Sequence, residues 1–321
     1  MLNTQCYNIR DWLLSEQTII ELDSFDESVF ENSVVDSVIL LYRNSKNTAT
    51  CISSKSNLKQ VDIDNIQKQN IPISYFLNAP NKQFDLDYSL SKSNLVDKIR
   101  ENIVLLSCIS DTKDGIIQSK IPDKLFLTKD ENKFCKPLLF GRDINRYELN
   151  HAVNWVDYQL EEMMKIELAR HGGGLRLRVK SIFERDKILT RQTADNIITT
   201  LDTEEYYYAN TLHGTAITDE SYDILYVLAL LNSKLLNYYY KATTCESGKV
   251  FAQVKIEILR QLPIAKTDIA RQEPIINKLN AIIAAKQINI DTNQLEAEVD
   301  AMVYALYGLT DDEIKLIEGV T

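Results

Sequence analysis

Glycine is scarce in this sequence, with nine residues in a chain of 321. That is below half of the average usage of about 7%. Loops that hold phosphate groups need glycines at fixed offsets, because the backbone must approach the ligand closely. Neither G-x-G-x-x-G nor G-x-x-x-x-G-K-[ST] occurs in the sequence. A nucleotide-binding or dinucleotide-binding fold complete within this chain is therefore not expected.

Cysteine, histidine and long apolar runs are also few. The five cysteines form no C-x-x-C pair, and none of the three histidines shares a turn with a cysteine or a second histidine. Neither a disulfide framework nor a metal site is therefore predicted. The longest wholly apolar run is the eight residues 224–231, whereas a membrane span needs about 20. With no basic-then-apolar export signal at the N-terminus, we expect a reduced, cytoplasmic protein without a membrane segment.

The net charge of −10 is unevenly distributed. Residues 1–50 carry 3 basic and 8 acidic side chains, and residues 266–321 carry 5 and 10, which leaves residues 51–265 neutral. Within the neutral part, residues 165–191 hold eight basic and three acidic side chains, a local +5. Salt screens charge over about 8–10 Å, so local charge governs what docks at this stretch. A solvated surface with ion pairs is the alternative interpretation.

A pattern inside the basic stretch favours contact with phosphates. Arg176, Arg178 and Lys180 alternate with apolar residues, so a strand over 175–180 would project all three cations from one face. The preceding residues 171–174, His-Gly-Gly-Gly, indicate a tightly turned or flexible loop. A loop followed by a cationic strand face suits contact with a nucleic-acid backbone.

Hydrophobic periodicity predicts an α+β fold. Strands are predicted at 18–22 and 37–42, which could pair, and again at 186–190. One long helix is predicted over 219–240, capped by Asp219 or Ser221.

The C-terminal segment is predicted to be helical. Pro274 suits the first turn of a helix, and Thr310–Glu313 form a capping box that starts the last one. Between them, Glu296, Glu298 and Asp300 define an acidic polar face that should face away from a nucleic acid.

Two tyrosine triplets, 206–208 and 238–240, could stack on bases, although packing is favoured for the second. The sequence has no G-x-S-x-G element, while a Ser-His-Asp arrangement stays open. The residues by themselves indicate a non-catalytic α+β protein with a candidate nucleic-acid face.

Several blocks resemble a known family, the TaqI-like C-terminal specificity domain. This domain is the target-recognition part of adenine-specific DNA methyltransferases and of type IIG restriction–modification enzymes. The blocks are K-P-L-L-F-G-R-D-I-N-R-Y (136–147), K-I-L-T (187–190), L-N-S-K-L-L-N-Y-Y (231–239) and L-R-Q-L-P-I (259–264). Residues 295–314 are similar to the helical end of the type IIG branch. Residues 9–14, 29–31 and 38–41 resemble the last helix and strands of the methyltransferase catalytic fold.

The resemblance implies a chain in four parts. A remnant of the α/β methyltransferase sheet occupies 1–50, a connecting β-rich region 51–130, a mixed β-rich DNA target-recognition domain 131–265, and a helical segment 266–321. It implies double-stranded DNA and a methyltransferase catalytic domain, in cis or in trans, as partners.

The glycine-bearing methyl-donor loop and the Asn-Pro-Pro-Tyr loop of the family are missing from this sequence. No catalytic, cofactor-binding or metal-binding residue is therefore assigned in the chain, and whether it is itself an enzyme stays open. S-adenosylmethionine is expected for the parent enzyme, whose methyltransferase could be fused to an endonuclease.

Candidate DNA contacts are cations and amides that can reach phosphates or base edges. They are Arg142, Arg146, Arg170, Arg176, Arg178, Lys180, Arg185, Arg191, Gln192 and Asn196. Gln192 and Asn196 are assigned to adenine edges. Arg142 and Arg146 are assigned to phosphates, although their neighbours Gly141 and Asp143 could equally hold a turn.

Two alternatives remain. One is a stand-alone specificity subunit, similar to those of type I systems, that recruits separate catalytic chains. Such subunits usually carry two recognition domains, and one is visible here. The other is a protein-binding module in which the tyrosines and the acidic tail contact a partner.

Overall fold

The computed structural model describes residues 6–25, 29–30, 37–46, 48–56, 58–59, 67–79, 82–86, 88–117, 126–127, 134–169, 177–244 and 252–319. The predicted α+β class is confirmed. The chain divides into two units, Met1–Asp97 with Ala242–Cys245, and Lys98–Lys241 with Glu246–Thr321. The division predicted at residues 50, 130 and 265 stays a prediction. No helix within the described ranges is long and apolar enough to cross a membrane.

The first unit is built around one four-stranded sheet. Its elements are α1 (Tyr7–Glu16), β1 (Thr18–Ser24), β2 (Val38–Arg43), β3 (Cys51–Ser54), β4 (Gln69–Pro72), α2 (Ile73–Asn78) and the start of α3 (Leu90–Ile99). The sheet order is β2-β1-β3-β4, with β1 antiparallel to β2 and parallel to β3. The predicted pairing of the first two strands is therefore confirmed. Leu13 and Leu14 of α1 pack with Ile19 and Leu22 of β1 to form the core.

The second unit contains most of the strands and the C-terminal helices. Its strands are β5 (Ile103–Leu105), β6 (Ser110–Asp114), β7 (Phe126–Leu127), β8 (Cys135–Leu139), β9 (Ile144–Asn145), β10 (Glu148–Leu149), β11 (Asn154–Asp157), β12 (Lys187–Arg191), β13 (Thr199–Asp202), β14 (Tyr207–Tyr208), β15 (Leu212–Ile217) and β16 (Pro263–Ala265). Its helices are α4 (Leu106–Ile109), α5 (Leu160–Ala169), α6 (Ile224–Asn232), α7 (Lys234–Thr243), α8 (Ile256–Leu259), α9 (Ile269–Gln287), α10 (Asn293–Leu306) and α11 (Asp311–Glu318).

Two four-stranded sheets, β14-β8-β11-β7 and β13-β12-β15-β6, provide the core of this unit. The strand predicted at 186–190 is confirmed as β12. Tyr207 and Tyr208 are fully buried, and the Tyr207 ring stacks on Phe183 with centroids 4.3 Å apart. Tyr208 leaves no room for a side chain at position 214 of β15, because a Cβ there would lie 2.3 Å from the tyrosine hydroxyl oxygen. These two tyrosines therefore pack in the core and are not available to stack on bases.

The single long helix predicted over 219–240 is wrong, because Ser233 separates α6 from α7. The Ser233 hydroxyl donates to the carbonyl of Leu230 at 2.7 Å and accepts from the N–H of Leu236 at 3.2 Å. Such side-chain bonds compete with helix hydrogen bonds. The predicted caps are also wrong, since the carboxylate of Asp223 accepts from the N–H of Leu225 and caps α6.

The C-terminal segment is helical as predicted, with one correction. Asp268 caps α9 by accepting from the N–H of Arg271 at 2.9 Å, so Pro274 lies inside the helix and not in its first turn. The predicted capping box of Thr310 and Glu313 starts α11 and is confirmed. The apolar faces of α9 and α6 pack together, which joins the helical segment to the sheets.

An ion pair lies in the core between neighbouring strands. Lys187 of β12 faces Asp202 of β13, with Nζ 2.6 Å from Oδ2 and both side chains at most 1% exposed. Lys187 also donates to the Phe183 carbonyl at 2.6 Å, and Asp202 accepts from the backbone N–H groups of Glu204 and Tyr206. Removing either side chain would therefore leave the charge of the other buried without a counter-charge.

We expect Lys187→Met to lower the free energy of unfolding by about 3–5 kcal/mol, because it leaves the Asp202 carboxylate buried without a counter-charge. The double variant Lys187→Met/Asp202→Asn should regain part of this loss. Urea denaturation measures both. Lys315→Met is the control, since that lysine side chain is 61% exposed. A loss below about 1 kcal/mol would contradict the assignment.

Candidate nucleic-acid interface

Within the described residues 177–180, the predicted cationic strand is not formed. Residues 177–179 belong to no sheet, and Lys180–Ile182 form a short 3-10 helix. The hydroxyl of Tyr158 donates to the carbonyl of Arg178 and accepts from its N–H, so these backbone groups have side-chain partners instead of a neighbouring strand. Arg170 and Arg176 lie outside the described residues.

Three arginines bind the exposed edge of β6. The Nε of Arg178 donates to the carbonyl of Asp114 at 2.9 Å, and Nη2 of Arg260 donates to the carbonyl of Thr112 at 2.6 Å. Arg185 pairs with the carboxylate of Asp111 at 3.0 Å. Because β6 is the edge strand among the described strands of its sheet, Arg178 and Arg260 satisfy carbonyls that no described neighbouring strand pairs. Part of the positive charge near residue 180 therefore supports the fold.

Within the block 136–147, the chain makes a tight turn between β8 and β9. The carboxylate of Asp143 accepts from the N–H of Phe140 at 2.7 Å, and the N–H of Gly141 donates to the Thr211 hydroxyl at 3.0 Å. A Cβ at Gly141 would lie 3.0 Å from the Thr211 carbonyl oxygen, which explains the glycine.

Arg191 fastens the end of this turn, while Arg142 points outwards. Nη2 of Arg191 donates to the carbonyl of Ile144 and to the side-chain oxygen of Asn145. The Arg142 side chain is 75% exposed, with its guanidinium 5.4 Å from the centroid of the Phe140 ring. Of the two arginines, Arg142 is the one presented to solvent.

A groove of about 580 Å³ brings Arg146 and Asn196 together. Three lysines that were not predicted as DNA contacts also line the groove, two from α7 and one from α9. The lining is Asn145, Arg146, Glu148, Asn196, Ile197, Ile198, Lys234, Asn237, Tyr238, Lys241, Lys286 and Ile317. The spacing of Lys234, Tyr238 and Lys241, at positions i, i+4 and i+7 of α7, was the sequence signal for this face.

Acidic side chains of α10 and α11 partly neutralise the groove. Glu296 lies 3.1 Å from Arg146 and 3.5 Å from Lys286, and Glu318 lies 2.6 Å from Lys234. Glu296 of α10 therefore contacts cations of the groove, and the orientation of the acidic face away from a nucleic acid stays a prediction.

Asp300 does not belong to an exposed acidic face, because its side chain is buried and accepts from the N–H of Lys234 at 2.8 Å. Burial raises the pKa of this carboxyl.

Lys180 and Gln192 complete the described candidates. Lys180 is exposed, and Gln192 is half-buried. The backbone of Gln192 bridges two segments, since its N–H donates to Thr211 at 2.9 Å and its carbonyl accepts from Val254 at 2.7 Å. Its side chain is therefore carried on a fixed backbone.

Comparison with known proteins relates this surface to a family. Residues 136–264 match the model of the TaqI-like C-terminal specificity domain. After this similarity, we call residues 136–264 the specificity domain. All ten predicted DNA contacts lie inside it.

A relative from Methanocaldococcus jannaschii, named as a type II restriction enzyme and methyltransferase, is 26% identical over 317 residues. The match covers 94% of this chain and 26% of that protein. The chain thus spans about a quarter of the relative's length.

Solved structures resemble this chain at lower sequence identity. The type IIG restriction endonuclease BpuSI has a TM-score of 0.41 at 10% identity, covering 98% of this chain and 45% of that one. The type IIL restriction–modification enzyme MmeI in complex with DNA has a TM-score of 0.46 at 11% identity, covering 95% and 44%. The HsdS subunit from Thermoanaerobacter tengcongensis has a TM-score of 0.36 at 13% identity, covering 68% and 51%.

The specificity domain also contains a buried histidine with both ring nitrogens bound. Nδ1 of His213 lies 2.8 Å from Oδ1 of Asp114, and Nε2 lies 2.8 Å from the carbonyl oxygen of Val254. The ring of His213 is therefore held in the core by oxygens from two separate segments. Among the described residues, no group of three or more His, Cys, Asp or Glu side chains could hold a metal ion.

The pair with Asp114 should give stability a pH dependence. The hydrogen bond from His213, helped by the charges of that ring, Arg178 and Arg260, holds the pKa of the Asp114 carboxyl below its usual range. A lowered carboxyl pKa stabilises the fold above the unfolded-state value of about 3.9. This stabilisation is lost as the pH falls through the folded-state pKa.

We therefore expect Asp114→Asn, which keeps an acceptor but removes the charge, to be less stable than the wild type at pH 7. The two unfolding free energies should converge below about pH 4, as urea denaturation across pH would show. Asp312→Asn is the control, because that side chain is 91% exposed. An unchanged gap from pH 7 to pH 3 would contradict the assignment.

Proposed function

We propose that the specificity domain binds double-stranded DNA and selects the site at which an adenine-specific methyltransferase acts. The match of residues 136–264 to the specificity family carries this proposal. The exposed cations of the same segment supply the chemistry that a phosphate backbone requires.

Exposure divides the candidate contacts by role. Arg142 and Lys180 are the exposed cations, and we assign them to phosphates. Asn196 and Gln192 carry amides that can bond an adenine edge in the major groove. Arg146 lies in the groove beside Asn196, where Glu296 fixes its position.

The remaining arginines have other roles in the proposal. Arg178, Arg185 and Arg191 position the surface through their bonds to β6 and to the 141–145 turn, and any further contact with DNA stays a prediction. Arg170 and Arg176, outside the described residues, are retained as proposed contacts.

The methyl transfer itself is assigned to a separate catalytic domain, present in cis or in trans. That domain would bind S-adenosylmethionine and receive the target adenine after it leaves the base stack, a step that costs a few kcal/mol. A chain that holds the duplex at its recognition site would help to offset that cost. The name of the M. jannaschii relative, a restriction enzyme and methyltransferase, supports this division.

The predicted division into a methyltransferase remnant (1–50), a β-rich connection (51–130), a recognition domain (131–265) and a helical segment (266–321) is part of the proposal. We place the protein in the cytoplasm, as the sequence predicts.

The test is titration of the full chain with a random-sequence duplex at several salt concentrations. We expect Arg142→Ala/Lys180→Ala to flatten the slope of log affinity against log salt by about 0.9 for each lost phosphate contact. Fluorescence anisotropy of a labelled duplex measures the slope.

Arg271→Ala is the matched control. Its side chain is 77% exposed, compared with 75% for Arg142, and it lies on α9, outside the specificity domain. An equal slope in wild type and double variant would remove Arg142 and Lys180 from the interface. No duplex binding even at low salt would count against the proposed function.

A further inference from the structure

The cationic groove is partly neutralised by carboxylates that reach it from outside its lining. The lining itself carries four basic side chains and one acidic side chain, Glu148. Glu296 of α10 contacts two of the basic side chains, and Glu318 of α11 contacts a third, Lys234. A polyanion that enters the groove therefore meets carboxylates as well as cations.

The two carboxylates from outside the lining are held in different ways. Glu296 is 16% exposed and also accepts from the Thr292 hydroxyl at 2.7 Å, so its position is fixed within the fold. Glu318 is 28% exposed and its partner Lys234 is 46% exposed, with 2.6 Å between Nζ and Oε2. A phosphate from solvent can therefore reach the Lys234–Glu318 pair more easily than the contacts of Glu296.

Helix α11 carries Glu318 in its last turn, and none of its eight described residues is buried. Two ion pairs connect this helix to the rest of the second unit, Glu313 with Lys98 and Glu318 with Lys234, each at 2.6 Å. The two carboxylates are 25% and 28% exposed. Lys234 lines the groove, whereas Lys98 lies outside it. The helix thus contains two similar ion pairs, one at the groove and one away from it.

The carboxyl of Glu318 is charged at neutral pH. Burial raises its pKa, but the hydrogen bonds from Lys234 and from the Tyr304 hydroxyl lower the pKa more, so that it lies below its usual range. A phosphate that approaches the ammonium group of Lys234 comes close to this carboxylate, and the two like charges repel each other. Glu318 therefore opposes the binding of an anion at Lys234.

We propose that Glu318 lowers the affinity of the groove for DNA phosphates by occupying Lys234. Binding of DNA without sequence preference is driven by the neutralisation of phosphates, so a carboxylate that occupies a cation weakens it. Contacts with base edges are not weakened in this way, and the ratio of specific to non-specific affinity rises. The inference rests on the proposed function, because a phosphate of bound DNA is the competing anion.

The test variant is Glu318→Gln, which removes the charge and keeps an acceptor for the Tyr304 hydroxyl. We expect it to bind a random-sequence duplex about threefold to tenfold more tightly than the wild type at about 100 mM salt, because Lys234 becomes available to a phosphate. The gain should shrink as the salt concentration rises, since salt screens these charges. Fluorescence anisotropy of a labelled duplex measures the affinity.

Glu313→Gln is the matched control. It frees Lys98 on the same helix, and glutamine also suits the third helical position of the capping box, so α11 should still form. Its duplex affinity should stay within about twofold of the wild type. The double variant Lys234→Ala/Glu318→Gln should lack the gain of Glu318→Gln, because the freed cation is gone. An ion pair with a purely structural role would show neither the gain nor its dependence on Lys234.

Three results of the duplex titration would overturn the inference. They are equal affinity of Glu318→Gln and the wild type, an equal gain in Glu318→Gln and Glu313→Gln, and a gain that persists without Lys234. Each of these leaves the proposed function in place, since the duplex is still bound.

Elution from heparin, a sulfated polyanion, separates the inference from the proposed function. If no variant binds the duplex, the proposed function is overturned. In that case, a higher salt requirement for elution of Glu318→Gln than of Glu313→Gln supports Glu318 as the residue that limits anion binding in the groove. Equal elution of the two variants overturns the inference as well.

Discussion

Carbonyl oxygens at strand edges and in tight turns must be hydrogen-bonded when they are shielded from water, and this requirement organises the specificity domain. Arginine meets it at two places. Arg178 and Arg260 bind carbonyls of β6, and Arg191 binds the carbonyl of Ile144 at the end of the turn. Each guanidinium offers five donors in a planar fork, so one side chain can bridge two segments.

Positive side chains in this chain therefore fall into two groups, those that hydrogen-bond the fold and those that are exposed to a ligand. A count of charges identifies the stretch 165–191 but does not separate cations that satisfy the fold from cations offered to a ligand. Exposure separates them, because Lys180 is presented to solvent while Arg185 pairs with Asp111. The cationic groove shows the same mixture, since Glu296 and Glu318 restrain its lysines and arginine. Such pairing favours a shaped surface over a strong, unselective field.

Local patterns predicted the elements whose causes are local. The pairing of β1 with β2, strand β12 and the capping box of α11 follow from alternation and from residues a few positions apart. The break between α6 and α7 was not predicted, because the apolar periodicity of this segment continues past Ser233, whose hydroxyl bonds mark the break. The absence of the expected strand over residues 177–180 could not be predicted locally, because the hydroxyl of Tyr158, distant in the sequence, binds the backbone of Arg178.

The bond of Asn232 to Thr199 has a consequence for assembly. Its amide accepts from the N–H of Thr199 and donates to the carbonyl, at 3.0 and 2.9 Å, as the backbone of a neighbouring strand would. One edge of the sheet β13-β12-β15-β6 thus carries a side chain in place of a strand, and arginines occupy the other. Growth of this sheet is stopped at both ends from within the chain. The carbonyls of Thr199, Thr112 and Asp114 are therefore not available to another strand at either edge of this sheet.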